Sequence, residues 1–191
     1  MSHAELSDVS VAAPSQAADG GRFVSFDAYL DSASQRRPQS AHWPWSAVSG
    51  AWAAHAHGER GTVALVAGPP TDGNEPGHAN AEAAPGVSLT VQIVEPQRTT
   101  RSHRHSFWHL YVVVTGEGRA YVEQGTGYAL APGDALYVPP WAEHRFVNPD
   151  GAAPLVLYAV QNLPQVAQLG TLVRESPDAG IEHVYRAAHR P

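Results

Sequence analysis

The 191-residue chain has no cysteine. That excludes disulfide frameworks, thiolate metal sites and thiol nucleophiles, so any metal it holds must be bound through nitrogen and oxygen. Basic residues are also scarce: 12 Lys and Arg against 18 Asp and Glu give a formal net charge of −6. A basic stripe of the kind that phosphate backbones or anionic membranes require is therefore missing, and neither nucleic acid nor membrane is an expected partner. Long apolar runs are absent too. No segment is long enough to span a bilayer, and the opening "MSHAELSDVSVAAPSQAADGG" lacks the charged start and apolar run of a signal peptide, so a cytoplasmic protein is expected.

What remains is one domain's worth of chain with a change of texture partway along. Residues 1–21 are small and polar without a period and read as a disordered lead-in. An N-terminal arm is expected over 22–60. Within it, "FVSFDAYLDSASQ" spaces Phe23, Phe26, Tyr29 and Leu30 as a short amphipathic helix, and "HWPWSAVSGAWAAH" reads as an arm or short helix over a barrel, with its rings a candidate dimer interface. A strand candidate, "TVALVAG", precedes the loop-forming "PPTDGNEPGHANAEAAPG". From Val87 short apolar runs follow one another: "VSLTVQIVE", "LYVVVTG", "RAYVEQ", "ALYVPP", "HRFVN" and "PLVLYAVQ", separated by glycine-rich turns. Many short strands at this spacing predict an all-β sandwich or barrel over 61–191.

The chemistry concentrates in "SHRHSFWHLYVVVTGEG", residues 102–118, with histidines at 103, 105 and 109. Side chains alternate along a strand, so His103 and His105 share a face and Arg104 points away. Two imidazoles on one face form a metal clamp; the plainer reading is a packed strand rich in histidine. A second pair, His55 and His57, lies in an alanine-rich segment without a third partner and is not expected to bind metal. If alternation continues, His109 and Tyr111 face inward and Leu110 and Val112 outward.

Two blocks resemble the paired motifs of the cupin family. In the first, His103-x-His105, three residues, His109, six residues and Gly116 follow in order; in the second, Gly133, five residues, Pro139, four residues, His144, three residues and Asn148. His109 stands where that pattern usually has glutamate, and Trp141 where it usually has glycine. The resemblance covers roughly residues 87–162 and implies a cupin jelly roll, a double-stranded β-helix, in which the two motifs meet in the barrel mouth. In detail "HRHSFWHLYVVVTGEG" and "GDALYVPPWAEHRFVN" are similar to the blocks of the gentisate 1,2-dioxygenase type of three-histidine cupins.

That resemblance implies that His103, His105 and His144 hold Fe(II), although an all-nitrogen site also accepts manganese, nickel or zinc. It implies a substrate such as gentisate or salicylate, which chelates through a hydroxyl and a carboxylate, with O2 as co-substrate and a homodimeric assembly. His109 and Tyr111 are the candidate catalytic residues, His109 either as a fourth ligand or as a hydrogen-bonding group. Trp108, Trp141 and Phe146 are candidate pocket walls, and Arg101 the candidate cation for a carboxylate. Two alternatives use the same histidines: an oxygen-independent lyase or isomerase acting on a small carboxylate, and a non-enzymatic small-molecule-binding cupin.

Overall fold

The computed structural model describes residues 24–34, 40–55, 62–67, 82–123, 125–149, 152–178 and 180–183. The lead-in expected to be disordered, most of the loop before residue 82 and His57 lie outside them. Two compact units divide the chain, residues 1–38 and 39–191. The boundary falls inside the arm expected over 22–60. In the first unit, α1 (Phe26–Ser34) starts at Ser25, whose Oγ accepts a hydrogen bond from the Ala28 backbone at 3.2 Å, a serine N-cap. Phe26 and Tyr29, one turn apart, stack at 6.1 Å, and no side chain of the helix is buried.

The second unit opens with α2 (Trp45–His55), which begins immediately after Pro44, where a missing N–H costs nothing. Its strands are β1 (Thr62–Leu65), β2 (Ser88–Val94), β3 (Arg98–Thr99), β4 (Arg104–His105), β5 (His109–Thr115), β6 (Gly118–Val122), β7 (Thr126–Leu130), β8 (Ala135–Val138), β9 (His144–Asn148) and β10 (Leu155–Gln161). After them come α3 (Leu163–Gln168), β11 (Val173–Ser176) and β12 (Gly180–His183). Three sheets result, ordered β1-β2-β10-β5-β8, β3-β9-β6-β7 and β12-β11-β4. Every strand pairing among the described residues is antiparallel. The strand pattern predicts a sandwich or barrel, and this is the jelly-roll barrel that the resemblance implies; among the described residues no helix is long and apolar enough to cross a membrane.

Alternation along β5 produces the inside of the barrel. His109, Tyr111 and Val113 are buried while Leu110 and Val112 are exposed. Tyr111 and Val113 join Ala120, Leu130, Phe146 and Leu157 in the main core cluster. A fully buried leucine such as Leu155 or Leu157 contributes about 1.5–3 kcal/mol by leaving water. A second cluster lies on the other side of the five-stranded sheet, where Val48 of α2 packs with Leu65, Val91, Ile93 and Val156. Trp45 meets Tyr158 edge-on at 6.3 Å, and Trp43 Nε1 donates to the Val66 carbonyl at 3.3 Å. The aromatic segment expected as a dimer surface is thus used in part within the unit, because the outer face of β1, β2 and β10 is apolar and needs a cover.

Three positions hold the turns around the mouth. Gly116 has φ +78°, and a Cβ there would run into the Pro154 carbonyl, so only glycine closes the turn after β5. Asn148 is buried, and its Nδ2 donates to the carbonyls of Val94 at 3.0 Å and Ala153 at 2.8 Å, tying β9 to β2 and to the turn before β10. Trp141 has φ 64°, in the left-handed region. That backbone explains why glycine suits this position and makes tryptophan here a strained choice.

Candidate metal centre

His103 and His144 are joined by reciprocal backbone hydrogen bonds, N to O at 3.2 Å and 2.9 Å, in an isolated antiparallel bridge. This bridge brings the first motif against the second. His105 follows on β4, two residues after His103 and on the same face. The ring centroids stand 4.5 Å apart for His103 and His144, 5.0 Å for His105 and His144, and 5.6 Å for His103 and His105. One ring nitrogen from each lies within 4.8 Å of those of the other two; metal–nitrogen bonds of about 2.1 Å hold cis ligands roughly 3.0–3.4 Å apart, so the rings would draw inward on an ion.

The other nitrogen of each ring is already committed. His103 Nδ1 donates to the Arg101 carbonyl at 2.9 Å, His105 Nδ1 to the Phe107 carbonyl at 2.7 Å, and His144 Nδ1 to the Ala142 carbonyl at 2.9 Å. A carbonyl only accepts, so it places the proton of each neutral ring on Nδ1 and leaves the Nε2 lone pair for a metal. His144 Nε2 is buried and meets no hydrogen-bond partner among the described atoms, a cost of about 1–3 kcal/mol that a bound cation would remove. Burial, reinforced by the charges of neighbouring histidines and of Arg174, pushes His105 down to about 3 and His144 down to about 4. Both are neutral near pH 7, the state that ligation needs. Three convergent imidazoles fit a divalent transition metal, and three ligands leave coordination positions open.

Around this trio the other expected residues divide. His109 Nε2 lies 2.8 Å from His105 Nε2; since His105 carries its proton on Nδ1, His109 is the donor, and it occupies the lone pair that a metal at His105 would take, so ligation by His105 displaces this hydrogen bond. Its own Nδ1 is buried without a hydrogen-bond partner, and burial drives its pKa far below the usual histidine range. Tyr111 stacks on His109 at 4.7 Å, with its phenol pKa raised by burial, and Phe146 packs edge-on against Tyr111 at 4.8 Å. His109, Tyr111 and Phe146 therefore sit inside with the trio. Trp141 is 45% exposed and reaches the centre through its backbone, donating to the His105 carbonyl at 2.7 Å. The Trp108 ring neighbours that of Tyr137, which is exposed on β8, and Arg101 is exposed and meets His103 through its carbonyl.

Two residues near the centre went unnoticed in the sequence. Phe107 stacks flat on His105, centroids 3.7 Å apart and 6° between planes, and is itself backed by Val166 and Leu172. Arg174, on β11, stands opposite His105 in register. Phe107 sits between the histidines and was open to notice; β11 reads "VRES", without an apolar alternation to mark a strand. A surface cavity of about 330 Å³ is lined by Ser102, Glu143 and Arg145 together with Tyr121, Glu123 and Gly125. The first three are chain neighbours of His103 and His144 and face the opposite way, so this cavity is distinct from the histidine centre.

Residues 90–161 match the family model described as "Cupin domain". Among curated proteins, 5-aminosalicylate 1,2-dioxygenase of a Comamonas species is 35% identical over 86 residues, covering 45% of this chain and 22% of that protein. The 5-nitrosalicylic acid 1,2-dioxygenase of a Bradyrhizobium species is 28% identical over 106 residues, 54% of this chain and 50% of its own. Gentisate 1,2 dioxygenase 1 of Aquipseudomonas alcaligenes is 31% identical over 96 residues, 50% and 27% respectively. The chain spans half or less of the length of these relatives. Among solved structures, the salicylate 1,2-dioxygenase of Pseudaminobacter salicylatoxidans superposes with a TM-score of 0.65 at 24% identity, over 88% of this chain and 47% of that one, a likeness of fold.

Proposed function

We propose, from the match of residues 90–161 to the cupin domain model, that the chain is a mononuclear non-haem Fe(II) dioxygenase that cleaves a carbon–carbon bond of a small hydroxylated aromatic acid of the gentisate or salicylate kind. The observation that carries this reading is the convergence of three histidines, each with Nδ1 held by a backbone carbonyl and with ring nitrogens gathered at one place. The names of the relatives, all 1,2-dioxygenases of hydroxylated aromatic acids, supply the reaction class.

His103, His105 and His144 would hold the ion. A bound ferrous ion supplies a path for electrons between a chelating substrate and O2, and both oxygen atoms end in the ring-opened product, so no external reductant is needed. Neutral imidazoles leave the ion's double charge uncompensated, which favours an anionic chelate over water. His109 contributes a donor at Nε2 next to the open face. Burial keeps Tyr111 a neutral phenol, so it acts through hydrogen bonding and packing rather than as a base. Phe107 and Phe146 exclude water from either side of the trio, and Trp141 borders the rim. A homodimer in the cytoplasm completes the proposal, to be checked by sedimentation and cell fractionation.

The test is oxygen uptake by protein stripped of metal and reloaded anaerobically with ferrous iron, against gentisate, salicylates and hydroxynaphthoates. The expected result is substrate-dependent uptake that is lost in His103→Ala and His144→Ala. Turnover without oxygen, sustained by zinc, would replace this reading with the lyase or isomerase.

A further inference from the structure

Arg174 lies outside the segment matched to the family, on β11, the middle strand of the three-stranded sheet. Its position is fixed by pairing with β4, Arg174 opposite His105 and Glu175 opposite Arg104. Ser106 locks the register from both sides: its N–H donates to the Val173 carbonyl and its Oγ accepts from the Val173 N–H, each at 3.0 Å. Residues directly opposite in an antiparallel pair share a face. The outer face is marked by the Arg104–Glu175 ion pair at 2.6 Å, so Arg174 shares the inner face with His105. His105 is one of the three ligand candidates, so this inner face is the one that borders the histidine centre.

We propose that Arg174 is the anchor for the carboxylate of the bound substrate, holding it on the β11 side of the three histidines. A guanidinium close to a divalent ion and three neutral imidazoles is repelled by the ion; an anion between them reverses the sign of that interaction. Its planar fork matches a carboxylate, and five donors allow it to be steadied by one neighbour while it presents two N–H groups to a ligand. In register, Glu182 of β12 stands opposite Arg174 on the side away from His105. Of the arginines next to the histidines in sequence, Arg104 pairs with Glu175 on the outer face and Arg145 lies over the Tyr121 ring at 4.7 Å. The assignment rests on the functional reading above for the metal centre and for an acid as substrate, and adds that the charge-selecting residue belongs to the C-terminal strand pair, not to the two histidine motifs.

Zinc-loaded protein separates the anchor from turnover. Salicylate and salicylamide share a ring and hydroxyl and differ in charge, and their binding is measured by calorimetry together with zinc content. Wild type is expected to favour salicylate by tenfold or more. Arg174→Gln should lose at least tenfold in salicylate affinity with salicylamide and zinc content unchanged, and Arg174→Lys should fall between. Should Arg174→Gln fail to fold, Arg174→Lys decides, with a several-fold loss for salicylate alone expected. Equal affinity of the two ligands in wild type, an undiminished preference for salicylate in the foldable variant, or a loss that is the same for both ligands would overturn the assignment. Oxygen uptake by the iron form is scored separately: selective binding without uptake removes the dioxygenase and keeps the anchor, while uptake with an unchanged KM for gentisate in Arg174→Gln does the reverse.

Discussion

Acidifying the metal-free protein from pH 7 to pH 5 should weaken it through the same buried histidines that prepare the centre. His105 and His144 have pKa values of about 3 and about 4 when folded, against about 6.5 in an unfolded chain. Over this interval the unfolded state binds more protons than the folded one, so stability falls as pH falls. It is fully present above the unfolded pKa and is lost as pH drops through the folded values. Between pH 7 and 5 each ring stays neutral when folded while the unfolded imidazole takes up its proton, a loss of about 2 kcal/mol per histidine and about 4 kcal/mol for the pair. That figure depends hardly at all on the folded values once they lie near 4 or below. His109, pushed lower still by burial, acts in the same direction. With a urea slope of about 2 kcal/mol per molar, the midpoint should drop by about 2 M. Urea titrations in EDTA at both pH values, on wild type and His144→Gln, isolate the contribution from that of the carboxylates. His144→Gln should lose about 2 kcal/mol less than wild type over the interval. An identical pH loss in the two proteins would refute the claim that His144 is held neutral by burial.

Replacing His144 or His105 with alanine should reduce metal affinity by more than the roughly 10–100-fold typical of losing an outer hydrogen-bond partner, as read by chelator competition; retention of full affinity would remove that residue from the ligand set. Trp141→Gly should raise stability by up to about 1 kcal/mol, since it relieves a φ of 64° at a half-exposed ring, and thermal melts give the sign directly. Asn148→Leu leaves the Val94 and Ala153 carbonyls without their donor and should cost about 2–3 kcal/mol in denaturant titrations, with metal content preserved in the folded fraction. Gly116→Ala should cost at least about 2 kcal/mol, or prevent folding, because its Cβ meets backbone rather than a movable side chain.

The strands that carry the barrel were legible because their period is strict. β5 alternates buried and exposed from His109 onward, and the same count that put His109 and Tyr111 inside put His103 and His105 on one face. His144 was readable as a partner only by resemblance, since nothing local to "AEHRFVN" says that its backbone will bridge to His103. Strands β3 and β4 are two residues long and carry no period of their own; tertiary pairing makes them strands. β11 and β12 escaped for a related reason. Each is four residues long and β11 is half-buried at every position, and neither displays the apolar alternation that marks a strand covered on one face. Arg174 is hidden in the sequence for the same reason, whereas Arg101, the candidate cation by its nearness to His103 in sequence, is exposed. The arm was placed as one piece because composition does not reveal that α2 covers the outer sheet while α1 lies in the other compact unit.

The three carbonyls that orient the histidines each lie two residues from the ring they hold: Arg101 for His103, Phe107 for His105, Ala142 for His144. Tautomer choice is therefore written into short stretches of chain and is available as soon as those stretches take their local shape. Convergence is a different matter, since His144 reaches His103 only when β9 and the segment before β4 close on each other across the intervening hairpins. An ion added to a refolding chain would find at most the His103 and His105 pair early and a third nitrogen only at closure. Tight metal capture then works as a stopwatch: the moment at which a refolding sample begins to outcompete a weak chelator marks the moment at which the two halves of the barrel have met.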